Sequence, residues 1–177
     1  MNLKQNIAIL MFAVLIQSCD VLDKLTQFDI PVTETITIAP TLSLNVPFSI
    51  PTPPIELNTA TTFETNETHK DLIQEIYLSK LRMSIISPID EDFSMLKSIE
   101  IYILAEGMTE KRIAWKESID NTATSISLEV SESDLKEYLL KDKIELKVKT
   151  VTDEINTHEI KIKIDANFKV NAKLIAS

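Results

Sequence analysis

The side chains best suited to proton transfer or metal ligation near neutral pH are His69 and His158. They lie far apart in the sequence, with no metal-ligand spacing around either and no nucleophile motif of the G-x-S-x-G kind beside them. Both are expected to be solvent-exposed loop residues. Asp90, Glu91 and Asp92 form the densest acidic cluster. They offer oxygen ligands suited to Ca²⁺, but the stretch lacks the alternating ligands and central glycine of a calcium-binding loop, so a solvated turn is expected. Asp153 with Glu154 makes another carboxylate pair with no apolar surroundings to raise either pKa for acid catalysis. No catalytic residue, metal ligand or cofactor site is assigned.

A second group of residues is set out by alternation. Lys147, Lys149, Lys161, Lys163, Lys169 and Lys173 all point away from the apolar side of two C-terminal segments, in a stripe that could bind an anionic glycan, a lipid headgroup or an acidic partner. Glu145, Glu159 and Asp165 interrupt that stripe, and lysines on exposed strands also serve to block aggregation. Tyr77, Tyr102, Trp115 and Tyr138 would suit a sugar-stacking surface if they clustered outside. Core packing is the expectation instead, because Trp115 runs in step with Ile113 and Tyr138 lies on the apolar side of a short helix.

Cys19 is the one cysteine in 177 residues, so no intramolecular disulfide can form and the thiol needs another use. It follows a polar start with Lys4, an apolar run from Ile7 to Ile16, and Gln17-Ser18. Ten apolar residues suit a signal-peptide core and fall short of the roughly 20 that span a bilayer as a helix. Ile16-Gln17-Ser18-Cys19 resembles the lipobox of bacterial lipoproteins. The resemblance implies that the thiol takes a diacylglycerol, that a peptidase cuts before Cys19, and that acyl chains hold the protein to a membrane, at about 0.8 kcal/mol per buried CH₂. The other readings are an ordinary secretory signal with an incidental cysteine and an N-terminal membrane anchor. Asp20 and Asp23 resemble surface-export signals of lipoproteins in Bacteroidota, whereas in enterobacteria an aspartate directly after the cysteine resembles an inner-membrane retention signal. The Ile-, Lys-, Asn- and Thr-rich composition favours the first, and with it the outer membrane.

The net charge of −9 argues against a nucleic-acid partner, which requires lysine and arginine against phosphates. Residues 19–140 carry −12 and residues 141–177 carry +2, an acidic body with a mildly basic end.

The elements that must position these residues are mostly strands. From 36 to 50 the apolar residues Ile36, Ile38, Leu42, Leu44, Val46, Phe48 and Ile50 all take even numbers, the period of a strand with one buried face. Pro40 and Pro47 make this an edge strand or two strands joined by a bend. Before it, Val21 to Ile30 forms a short amphipathic stretch that rests on the membrane or leads into the first strand, with Pro31 stopping any helix. The Thr-rich residues 55–66 give another strand, and 68–75 a helical turn or two. Between Ser79 and Lys80 the alternation of 76–87 shifts phase, which predicts a β-bulge. Strands follow at 98–105, with Ile99, Ile101 and Ile103 inward, at 111–117 and at 124–130. Ser131 or Ser133 caps a helix holding Leu135, Tyr138 and Leu139. Ile144 to Val148 and Ile160 to Leu174 alternate again, as a hairpin turning near 153–156.

These strands predict a mainly all-β fold, a two-sheet antiparallel sandwich with one short helix near 133–141. Phe93 to Ile103 resembles the sandwich of the water-stress and late-embryogenesis (LEA) proteins and the β-rich lipoproteins of Bacteroidota, and an Ig-like arrangement fits equally. The expected organisation is a signal peptide over 1–18, a lipidated tether over 19–32 and one sandwich domain over 33–177. The leading function is a non-enzymatic binding or structural module, anchored in a membrane through Cys19 and facing an envelope protein or anionic glycan. A carbohydrate-active or hydrolytic accessory protein is the second reading. Assembly through strand pairing by residues 36–50 is the third.

Overall fold

A computed structural model describes residues 27–40, 45–120 and 122–173. Cys19 and the expected signal peptide lie outside the described residues, as do Leu42, Leu44 and Leu174. The strands are β1 (Gln27–Ile38), β2 (Pro47–Pro51), β3 (Ile55–Glu56), β4 (Ile73–Ser87), β5 (Leu96–Ala105), β6 (Lys111–Lys116), β7 (Ser125–Ser127), β8 (Glu129–Val130), β9 (Lys143–Thr152) and β10 (Ile160–Ala172); α1 (Thr59–Thr65) and α2 (Lys136–Leu139) are the α-helices, with short 3-10 turns at Lys70–Leu72 and Phe93–Met95. One sheet runs β1-β10-β4-β7, the other β2-β9-β5-β6-β8 with β3 also on β9, and every pairing is antiparallel. The expected two-sheet antiparallel sandwich is what forms. No helix among the described residues is long and apolar enough to cross a membrane.

The core lies where the inward faces of the sheets meet. Ile160, Ile162, Ile164, Phe168 and Val170 of β10 are wholly buried, as are Ile99, Ile101 and Ile103 of β5 and Leu146 of β9. Each side chain so buried stabilises the fold by about 1.5–3 kcal/mol relative to exposure. The bulge sits where the phase shift put it: Phe168 pairs with Leu78 and Asn167 with Lys80, leaving Ser79 unpaired in the ladder. The Ser79 hydroxyl donates to the Asn167 carbonyl at 2.8 Å and so closes the gap.

Several expectations are corrected. The first strand begins at Gln27, ahead of the boundary expected at residue 33, and buries Ile30 and Val32. Pro31 fits because β1 is an edge strand, where a missing N–H costs no ladder bond. As Pro40 and Pro47 allowed, the even-numbered segment 36–50 is divided between two strands: β1 ends at Ile38 on one sheet and β2 starts at Pro47 on the edge of the other. Residues 55–66 are mainly α1 rather than a strand, because Phe63 is buried and meets Phe28 edge to face at 6.0 Å. Tertiary packing there outweighs the β preference of threonine. Neither Ser131 nor Ser133 caps α2; the Asp134 carboxylate accepts from Lys136 N at 2.9 Å and from Ile76 N at 3.1 Å, tying the helix to β4.

The C-terminal segments are not a hairpin. β9 lies in one sheet and β10 in the other, joined by residues 153–159. Both have one strongly apolar face, and two such strands bury more by facing each other across the core than by lying side by side.

Phe168→Ala should cost about 3–5 kcal/mol in urea unfolding, the usual penalty for emptying a buried aromatic site. Deleting Ser79 should cost less than Phe168→Ala, because Leu78, Lys80 and Leu81 already face Phe168, Asn167 and Ala166 in succession and the shortened strand alternates without a break. A Ser79 deletion that unfolds as early as Phe168→Ala would show that the sheet needs the geometry of the bulge itself.

Candidate functional site

The sequence offered three sets of candidates, and the strand register decides where each lies. On β9 the odd-numbered residues face outward, which puts Lys147 and Lys149 on the outer face of the larger sheet. Lys161, Lys163 and Lys169 occupy the outer face of β10, in the other sheet, with Lys173 just beyond it. The six lysines are therefore two groups on opposite sides of the sandwich rather than one stripe.

Lys147 and Lys149 both donate to the Glu110 carboxylate, Lys149 at 2.6 Å. Lys149 Nζ also sits 3.9 Å from the centre of the Tyr102 ring. Beside them the Tyr102 hydroxyl donates to Glu100 at 3.1 Å, and Glu100 accepts from Arg112 at 2.6 Å. Arg112 covers Trp115 at 4.7 Å. On the opposite side Lys163 Nζ and the Thr33 hydroxyl each reach Asp165 at 2.9 Å, and Lys161 lies 3.6 Å from Glu159. Lys147, Lys149, Arg112, Lys161 and Lys163 thus each meet a carboxylate.

Trp115 departs from its expected place. Ile101 pairs with Ala114 and Tyr102 with Arg112, so Ile113 is a bulged residue. Ile113 and Ala114 consequently both point into the core, and Trp115, opposite Glu100, is left outside and half-buried. Tyr77 and Tyr102 are also half-buried on outward positions; Tyr138 alone of the four is in the core, where its hydroxyl donates to the Thr109 carbonyl at 2.6 Å. Trp115 and Tyr102 share a face, but each ring carries a cation on it, so a sugar could stack only by displacing Arg112 or Lys149.

The third set converges without any sequence signal. His158 and Glu91, in loops far apart along the chain, meet at 2.5 Å through Nε2 and Oε1. The Thr157 hydroxyl lies 3.2 Å from the other ring nitrogen. The Ser94 hydroxyl donates to Glu154 at 3.2 Å, a second tie between the same two loops. Asp92 accepts from Ser94 N at 2.9 Å and shapes the turn that precedes β5. The order hydroxyl, imidazole, carboxylate is that of an activated nucleophile. Here, however, the hydroxyl belongs to the histidine's neighbour and both residues are exposed. The contacts fasten loop to loop.

His69 is exposed as well and lines a hollow of about 220 Å³ with Phe63, Glu64, Lys70 and Asp142. No group of three or more His, Cys, Asp or Glu able to hold a metal occurs among the described residues.

Hydrogen bonds from Lys147 and Lys149 hold the Glu110 carboxyl below the usual glutamate range. Burial, then the bond to Glu100, pushes the Tyr102 phenol up. A carboxyl whose pKa is lower folded than unfolded contributes stability at neutral pH that is lost as pH falls through its folded value. Carbon-detected titration should place Glu110 below an ordinary glutamate, and the pair Lys147→Met and Lys149→Met should return it upward. An unmoved Glu110 in that variant would contradict the pairing.

No family model matches the chain, and no curated protein does. Among solved structures, a chain of Desmodium yellow mottle tymovirus aligns over 85% of both chains at 9% identity and a TM-score of 0.28. The crystal structure of FlhE aligns over 82% of this chain and 97% of that one, at 8% identity and 0.34. A structure of carbohydrate-binding modules from the β-sandwich superfamily covers 86% of this chain and 57% of its own, at 10% identity and 0.32.

Proposed function

We propose that the chain is a bacterial envelope lipoprotein, anchored through an acylated Cys19 in the outer membrane, that works as a non-enzymatic binding module. The observation that carries the reading is the place of Gln27. β1 starts there, paired with Asn171 at one end of the sandwich, and Ile38, Pro47 and the loops 86–95 and 153–159 all gather at the other. Seven residues separate Cys19 from Gln27 and reach at most about 25 Å when extended, whereas the 13 residues of β10 span about 40 Å. An anchor at Cys19 therefore holds one end near the membrane and leaves the opposite loops free to meet a partner.

Several features favour binding over catalysis. The histidines are exposed, and the contact between His158 and Glu91 fastens two loops. Lys147 and Lys149 of β9 share one carboxylate, which leaves less positive potential for an anionic glycan than the sequence pattern implied.

The intact mass of the N-terminal peptide from membrane fractions tests the anchor. An acylated peptide beginning at Cys19 is expected, with acylation and membrane association both lost in Cys19→Ala. A peptide cut elsewhere, unmodified, on a protein found in the soluble fraction would refute it.

A further inference from the structure

From the loop end we infer that residues 86–95 and 153–159 form a docking surface for a basic, aliphatic-bearing segment of another protein. Large hydrophobic side chains left exposed among the described residues are Val46, Ile86, Ile89 and Ile155. All four lie at that one end. Val46 precedes Pro47, whose partner is Val151 near the end of β9; Ile86 is the residue skipped where Lys161 pairs with Ser87 and Ile162 with Ile85; Ile89 and Ile155 sit in the two loops themselves. Ile89 is 90% exposed, a costly position for an isoleucine that meets only water.

These side chains are presented on a fixed base. The Glu91–His158 contact and the Ser94–Glu154 hydrogen bond clip the two loops together, and Asp153 N donates to the Met95 carbonyl at 2.8 Å beneath them. Loops held in advance lose little entropy on binding.

Charge selects the partner. Residues 86–95 and 153–159 hold Asp90, Glu91, Asp92, Asp153, Glu154 and Glu159, and no lysine or arginine. An acidic rim around aliphatic side chains repels anionic lipid and nucleic acid and complements a protein segment that pairs lysine or arginine with leucine- or isoleucine-like anchors. The surface deepens the binding-module reading but stands apart from the lipid anchor, since it needs neither Cys19 nor a membrane.

The test uses the full chain in nanodiscs, or in solution should it carry no lipid, with two synthetic amphipathic peptides bearing a photoreactive leucine. One alternates leucine with lysine, the other leucine with glutamate. The lysine peptide should cross-link to residues 86–92 and 153–159, about ten-fold less in the double variant Ile89→Ser with Ile155→Ser, and less again when Asp90→Asn and Asp92→Asn are added. Because Ile89 and Ile155 are exposed, the melting temperature should not move. Equal labelling by the glutamate peptide, labelling confined to the sheet faces, or no labelling would overturn the proposal. So would recruitment of this end to anionic vesicles in Ca²⁺, or a dimer abolished by Ile89→Ser, because a membrane or a second copy would then be the occupant.

Discussion

Mutual cover of two apolar faces is the constraint on which this molecule depends. β10 and β4 turn an almost unbroken aliphatic surface inward on one side, β5 and β9 on the other, and neither sheet could stand in water alone. With one glycine and no possible internal disulfide, burial and the antiparallel ladders carry the stability. The crossing between sheets follows directly. β1 and β2 lie in different sheets, as do β9 and β10, so the end of β1, the start of β2 and the segment 153–159 collect at one end. The same geometry sends the lysines of β9 and β10 to opposite surfaces.

Much of this was legible in the amino acids, because a side-chain period of two records burial residue by residue. Ile99, Ile101 and Ile103 were read as inward and are fully buried; the bulge at Ser79 appeared as a single skipped beat. The same logic failed at Trp115. Its phase matched Ile113, yet a bulge at Ile113 turned it outward, and nothing in Lys111–Lys116 marks that bulge except the small, buried Ala114. Alternation also cannot say which sheet a strand joins. Two consecutive alternating segments look like a hairpin until the core has to be covered on both sides, as β9 and β10 show. For α1, a single buried Phe63 overrode a run of threonines.

The candidate sites divided along the same line. Lysine placement within each strand was readable, and so were Glu159 and Asp165 beside Lys161 and Lys163, but Glu110 was not: it comes from the β5–β6 connection and reaches β9 only through the fold. Likewise His158 and Glu91 converge because β10 begins beside the end of β4. On the outer face of the larger sheet Trp115 and Tyr102 lie under Arg112 and Lys149. The loop end differs from that face in kind, combining exposed isoleucines with an excess of carboxylates.

The central claim is one of orientation: an anchored end at Gln27 and a free, partner-seeking end at Ile89. The direct measurement is fluorescence quenching by spin-labelled lipid, with a dye at residue 106 or at residue 89 of the acylated protein in nanodiscs. Glu106 follows β5 at the Gln27 end and is exposed, so a dye there should be quenched while one at residue 89 stays bright. Stronger quenching at residue 89 would place the isoleucine-bearing loops on the membrane and contradict the account.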